Sequence, residues 1–133
     1  MAKNMRTERL TLVALTPGLA RAALEDRAEQ TRLILHEGDR ILIGETGFHG
    51  PPDRSGTVEV GYSIVPDYRG QGFAFEATRA LIDEALARPD VCRITASCLE
   101  ENVASLKVLE KLGMRRAGST GETLHFELRR DVA

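Results

Sequence analysis

The cleanest alternation of apolar and polar positions falls between residues 57 and 65. Val58, Val60, Tyr62 and Ile64 share one face there, and Thr57, Glu59, Gly61, Ser63 and Val65 share the other. A period of two predicts a strand buried on one side. Upstream, Leu10-Thr11-Leu12-Val13-Ala14-Leu15 is β-rich and predicts a first strand. Thr16-Pro17 reads as an N-cap followed by proline at the first helical position. The helix it opens runs through Leu19, Ala20, Ala23 and Leu24 to about Gln30. Arg32-Leu33-Ile34-Leu35-His36 and Arg40-Ile41-Leu42-Ile43-Gly44 flank Gly38-Asp39 as a hairpin. Residues 50–56 are a loop by composition. After Pro66-Asp67-Tyr68 the period becomes helical, with Leu81, Ile82, Ala85 and Leu86 on the inner face of a helix reaching about Arg88. Residues 93–99 predict a strand, residues 102–112 a helix closed by Gly113, and residues 114–117 and 123–129 two final strands.

The resulting order is β-α-β-β-β-α-β-α-β-β. It predicts an α/β (α+β) fold with a mixed sheet and helices on its faces, not an alternating doubly wound pattern. A length of 133 residues suits one domain with a single core. An apolar fraction of 42% with 29% charged residues belongs to a folded globular chain. A net charge of −2 and a pI near 5.9 argue against a nucleic-acid partner. No apolar run approaches the ~20 residues that span a bilayer, and Met1-Ala2-Lys3-Asn4-Met5 lacks the core of a signal peptide. A cytoplasmic protein with no membrane partner is expected. Cys92 and Cys98, read as sharing one strand, are too far apart along it to bridge and predict buried, reduced thiols. His36, His49 and His125 have no metal-ligand spacing, so no metal is expected.

Two stretches carry candidate chemistry. Arg69-Gly70-Gln71-Gly72-Phe73-Ala74 reads as a glycine turn opening onto a helix. It would present unpaired amides, at the positive end of the helix dipole, to an anion such as a pyrophosphate. It is not a P-loop, because Phe73-Ala74 follows Gly72 in place of Lys and Ser or Thr. Nor is it the dinucleotide fingerprint, since Phe75 stands where the third glycine belongs. The second stretch, from Asn102 to Gly113, predicts a capped helix supplying polar side chains beside that anion. Gly61, inside a strand, marks a bulge or a close approach by another group.

Arg69-x-x-Gly72-x-Ala74, following Val65-Pro66-Asp67-Tyr68, resembles the acetyl-CoA-binding motif of the GNAT superfamily of N-acetyltransferases. Asn102-x-x-Ser105-x-x-Val108-Leu109-Glu110-Lys111-Leu112-Gly113 resembles the second CoA motif of its ribosomal-protein (alanine) N-acetyltransferase-like branch. Glu59-Val60-Gly61-Tyr62 and the opening Thr7-Glu8-Arg9-Leu10-Thr11-Leu12 resemble the same branch. The resemblance covers essentially the whole chain, in the family's order. It implies one acyl-CoA N-acyltransferase domain over residues 1–133, its sheet splayed at a cofactor cleft between the strands of residues 59–65 and 93–99. Acetyl-CoA would be the co-substrate and an amine the acceptor. Backbone at Ile64 and Val65 would hold pantetheine, and the amides of Arg69, Gly70, Gln71, Gly72, Phe73 and Ala74 the pyrophosphate. Asn102 and Ser105 would face the cofactor's far side. Gly70 and Gly72 would be needed because a Cβ would block close approach, and Arg69 would add charge or simply cap the loop.

The implied activity moves an acetyl group to a primary amine, on a small molecule or a protein N-terminus, by direct attack in a ternary complex. No nucleophile with a paired base is visible, which fits. The amine needs a base and the departing thiolate a proton. Glu59 is the candidate base, or an ordinary solvated carboxylate. Many relatives carry a tyrosine seven residues after the asparagine to protonate the thiolate; Leu109 stands there. Ser105 is the candidate replacement, or a first-turn serine paired with Asn102 as cap. His125 lies near the acceptor or is a structural strand histidine. Relatives also carry a longer segment, usually two helices, between the first and second strands, where residues 17–30 leave room for one. The acceptor site is then open, completed by a second subunit in a homodimer, or lost. In the last case the chain is a non-catalytic acyl-CoA-binding or sensing module.

Overall fold

A computed structural model describes residues 3–14 and 31–130; the helix predicted between residues 17 and 30 lies outside them. The hairpin signals become a meander of antiparallel strands: β1 (Met5–Arg6), β2 (Leu10–Ala14), β3 (Thr31–His36), β4 (Ile41–Phe48) and β5 (Thr57–Ile64). Helix α1 (Phe73–Leu86) crosses to β6 (Arg93–Leu99), which lies parallel to β5. A helical crossover is what lets neighbouring strands run parallel. Helix α2 (Val103–Lys111) then leads to β7 (Arg115–Thr120) and β8 (Thr123–Arg129). The sheet has the order β1-β2-β3-β4-β5-β6-β8-β7. A single domain with a mixed sheet was legible in the hydrophobic pattern.

Boundaries moved for local reasons. The two-residue β1 was not predicted; it is too short for a pattern and is held by the Met5↔Leu12 and Arg6↔Thr11 pairs. β4 continues past Gly44, where the pattern stops. A Cβ on Gly44 would lie 2.0 Å from the Ser63 carbonyl oxygen, so this glycine permits close strand contact. β7 begins after Met114, which is buried in the core, and carries an irregularity between Arg116 and Gly118. Cys92 corrects another expectation. It precedes β6 and is exposed, its thiol donating to the Ser55 carbonyl at 2.9 Å. Cys98 is half-buried, and burial pushes its thiol pKa up against the lowering charge of Arg116.

The core occupies one face of the sheet. Val58 and Val60 of β5, Ile94 and Ala96 of β6, and Leu124 and Phe126 of β8 pack against Leu81, Ile82 and Ala85 of α1 and Leu109 of α2. A second cluster joins Leu10, Leu12, Ile34, Ile43 and Ile64 to Phe73 and Ala77 of α1. Because α1 contributes to both clusters, its first turn is fixed relative to the end of β5. Two buried hydroxyls satisfy each other beneath it: Thr46 and Thr78 lie 3.3 Å apart, and Thr46 also donates to the Gly61 carbonyl at 3.1 Å. Among the described residues, no helix is long and apolar enough to cross a membrane.

Candidate active site

β5 and β6 pair only from Thr57↔Arg93 to Glu59↔Thr95. Beyond that point β5 stays on β4 as far as Ile64↔Gly44, while β6 stays on β8 as far as Leu99↔Thr123. The strands therefore part, leaving a wedge-shaped gap in mid-sheet. The Glu59 carbonyl and the Val65 amide are taken from the β4 side, by His49 and Ile43 at 2.8 Å each. Strand alternation then turns the main-chain groups of Tyr62 and the amide of Ile64 into the gap. The Ile64 carbonyl is occupied by Nε of Arg69 at 2.7 Å. This narrows the expectation for pantetheine: the Val65 amide and Ile64 carbonyl are already engaged, and Tyr62 with the Ile64 amide supplies the free edge.

The gap opens onto the glycine turn. A 3-10 turn (Pro66–Tyr68) ends β5 and leads to Gly70 and Gly72, at φ of 76° and 84°. Left-handed backbone costs an ordinary residue about 1–2 kcal/mol. A Cβ on Gly70 would meet no protein atom, so conformation rather than space demands glycine there. Gly72 is the N-cap of α1 and offers no side-chain cap. Among the described residues, the amides of residues 70–74 donate to no protein group, and they converge at the positive helix end.

Arg9, known from the sequence only as part of the opening motif, and Glu76 fasten this turn. Arg9 Nε meets Glu76 Oε1 at 2.7 Å, Arg9 Nη1 donates to the Gln71 carbonyl at 2.9 Å, and its guanidinium lies 4.2 Å over the Phe73 ring. Burial pushes the Glu76 carboxyl up, but hydrogen bonds from Thr7 and Arg9, with the Arg9 charge, outweigh it and hold it below the ordinary value. The contact spans 67 residues, so only the Thr7-Glu8-Arg9 motif hinted at it.

α2 supplies the opposite wall. Asn102 Oδ1 accepts from the Ser105 amide at 3.1 Å, so Asn102 is the N-cap. The Ser105 hydroxyl takes no part in capping; it accepts from the Tyr62 phenol at 3.3 Å. Burial raises the Tyr62 pKa, partly offset by that hydrogen bond. Leu109, at the position of the missing tyrosine, is 1% exposed and packs in the core. The sequence marks Tyr62 as one of the apolar-face positions of its strand and as part of the Glu59–Tyr62 resemblance; its reach to α2 is tertiary.

A cleft of about 810 Å³ gathers these parts. Tyr62, Ser63 and Ile64 line it from β5, with Arg69, Gly70, Gly72, Phe73 and Ala74 from the turn and helix. Asn102, Ser105 and Lys107 line it from α2. Its charged residues are Arg69 and Lys107, with no carboxylate, which favours an anion. One expected residue stands apart, and another faces two ways, its amide free beside the cleft. Val65 is exposed with its amide on β4, and Gln71 borders the neighbouring groove at Arg9.

On the sheet's other face Glu59 is exposed and lies 3.1 Å from Nδ1 of His49. Gly61 is explained here as a close approach and not a bulge: a Cβ on it would lie 2.7 Å from His49 Nε2, and β4 and β5 pair without a register shift. His125, on β8 beside Ser97, meets the Thr120 hydroxyl at 2.9 Å and does not touch Glu59. Among the described residues, no group of three or more His, Cys, Asp or Glu is placed to hold a metal ion.

Fold and cleft together define a mixed α/β domain whose sheet divides above an anion-attracting turn. Residues 2–115 match the acetyltransferase (GNAT) domain family. The chain is 38% identical over 94 residues to the uncharacterized N-acetyltransferase YjdG of Bacillus subtilis, covering 71% of this chain and 56% of that protein. The chain thus belongs to the GNAT acetyltransferase family, and it spans about half the length of the curated relatives it matches. In fold it is similar to a GNAT-family acetyltransferase from Bacillus anthracis, with a TM-score of 0.79 at 22% identity over 95% of this chain and 98% of that one. It is similar also to RimL, a ribosomal L7/L12 alpha-N-protein acetyltransferase solved in complex with coenzyme A, with a TM-score of 0.73 at 16% identity, covering 92% and 95% of the two chains.

Proposed function

We propose that this protein transfers the acetyl group of acetyl-CoA to a primary amine, on a small molecule or a protein N-terminus, by direct attack in a ternary complex. The observation that carries the reading is the gap between β5 and β6, which opens onto the unengaged amides of residues 70–74. An elongated ligand with an amide-rich arm and a diphosphate fits both features. Residues 69–74 would hold the pyrophosphate, with Lys107 adding charge, and the free edge at Tyr62 and Ile64 would pair with pantetheine. Asn102 and Ser105 border the far side. A thioester brings an acyl carbon activated toward amines and a leaving group of pKa near ~8.5.

Ser105, joined to Tyr62, is the hydroxyl placed to return a proton to the leaving sulfur. Glu59 is the open-face carboxylate at the point where β5 and β6 part, where an acceptor would approach, and supplies the basic function there, directly or through a neighbour. The test is release of free thiol from acetyl-CoA in the presence of peptides with N-terminal alanine or serine, spermidine and an aminoglycoside. Thiol release with any of these supports the reading. Tight acetyl-CoA binding without turnover on every amine would favour an acyl-CoA-sensing module instead.

A further inference from the structure

We infer that His49, held by Glu59, is the group that takes the proton from the acceptor amine, and that Glu59 is a positioning residue. This deepens the acetyltransferase reading and rests on it. His49 is held at two points, one on its main chain and one on its ring. Its own amide donates to the Glu59 carbonyl at 2.8 Å, and its Nδ1 lies 3.1 Å from Glu59 Oε1. An ionised carboxylate only accepts hydrogen bonds, so the ring proton belongs on Nδ1 and the lone pair on Nε2. Among the described residues Nε2 makes no hydrogen bond.

That lone pair has a defined place. A Cβ on Gly61 would stand 2.7 Å from Nε2, so the ring edge rests on the β5 main chain, kept there by the missing side chain. Gly61 lies just past Glu59, the last β5 residue paired with β6. Nε2 therefore sits on the open face where the strands separate. The adjacent residue, Tyr62, points its side chain to the other face and meets Ser105. A proton acceptor and a proton donor thus flank the gap from its two sides. A surface His–Glu pair alone is commonly an inconsequential contact. The glycine that admits the ring, at the mouth of the gap, is what separates this pair from that reading.

The chemistry balances. The acceptor arrives as an ammonium ion, and Nε2 removes one proton, freeing the nitrogen lone pair. That pair forms the bond to the thioester carbonyl carbon while the C–S bond breaks, its electrons passing to sulfur. The nitrogen gives up its second proton to water, sulfur takes one from the Ser105 hydroxyl and leaves as the thiol, and solvent returns a proton to Ser105. The proton on His49 passes to solvent, so the products are amide, thiol and one proton.

The experiment compares the wild type, His49→Ala, Glu59→Gln and the double variant, using thiol release with acetyl-CoA and the best amine among alanyl peptide, seryl peptide and spermidine. Acetyl-CoA affinity is measured alongside by calorimetry. His49→Ala should lower kcat about 10²-fold or more with acetyl-CoA affinity unchanged. Added imidazole should restore part of that rate in His49→Ala and have no effect on the wild type. Glu59→Gln should cost less, roughly tenfold, and add nothing in the His49→Ala background. Nitrogen-detected NMR should find the His49 proton on Nδ1 in the wild type and shifted toward Nε2 in Glu59→Gln. The inference is overturned by near-normal kcat in His49→Ala, by full additivity of the two changes, or by a wild-type ring protonated on Nε2. A folded wild type that binds acetyl-CoA yet releases no thiol overturns the parent reading, and this inference with it.

Discussion

The Tyr62 phenol donates to the Ser105 hydroxyl across 3.3 Å, tying β5 to α2 below the gap. If the two deliver a proton as a unit, Tyr62→Phe and Ser105→Ala should each slow thiol release, and the double variant should be no slower than the worse single. The losses should stay within about tenfold, because a thiolate of pKa near ~8.5 leaves without much help. Thiol release at saturating acetyl-CoA measures this. Additive losses would show that the hydroxyls act separately.

The glycines of the turn should respond by conformation. Gly70→Ala should cost about 1–2 kcal/mol in urea unfolding, although its Cβ would touch nothing. Gly70→Asn should recover much of that cost, since asparagine tolerates the left-handed region better. Equal losses for both would put the reason elsewhere. Acetyl-CoA affinity, measured on the same proteins, should fall with both substitutions, since either adds a Cβ facing the cleft.

Gly61→Ala should separate stability from activity. The added methyl would collide with the far end of an exposed histidine, 2.7 Å from Nε2, and that ring can swing aside. Unfolding stability should change by less than about 1 kcal/mol. Thiol release should fall nearly as far as in His49→Ala. A fully active Gly61→Ala protein would remove the ring from the reaction.

Acid should loosen the anchor of the turn. Glu76 is held below its ordinary pKa of 4.5. Its pairing therefore stabilises the fold above the unfolded-state value and is lost as pH falls through the lower folded one. Thermal midpoints measured from pH 7 to pH 3 should decline, and Glu76→Gln should make that decline shallower. The limb will not vanish, because Glu37 is lowered by the Thr11 hydroxyl and Glu127 by Arg93. At neutral pH Glu76→Gln should cost about 1–2 kcal/mol, with Arg9 half-exposed and its contribution screened.

Cofactor binding should register as stability. Acetyl-CoA at a hundred times its Kd should add about 2.7 kcal/mol. Lys107→Ala should raise that Kd and flatten its dependence on salt, since Lys107 borders a cleft with no carboxylate in its lining. No stabilisation at any concentration would sink the cofactor assignment.

Local signals made the frame legible. The alternation over β5, the glycine turn before α1 and the Asn102 cap all announce themselves within a few residues. Contacts between distant residues did not. Tyr62 looked like core because a phenol on an apolar face gives no hint of a serine 43 residues later. His49 was passed over for lack of metal spacing. Extending β4 through Phe48 would have set it across a short loop from Glu59. Ending β4 at Gly44 hid that hairpin, since the glycine reads as a stop but serves close contact with Ser63. The Val65 amide was misassigned because which edge a strand offers depends on its neighbour, whereas the Ile64 amide does face the gap.

Among the described residues the ladder between β5 and β6 is three residue pairs long, helped by the Arg93 amide on the Gly56 carbonyl and the Thr95 hydroxyl on the Val58 carbonyl. Mechanical continuity beyond them passes through α1 and α2, which rest on strands from both halves. A guest bridging the divide would act as a splint, borrowing the strands' own hydrogen-bonding grammar. Amide protons of Tyr62 and Ile64 would then exchange with solvent at a pace set by occupancy, so the rhythm of turnover could be read from the backbone itself.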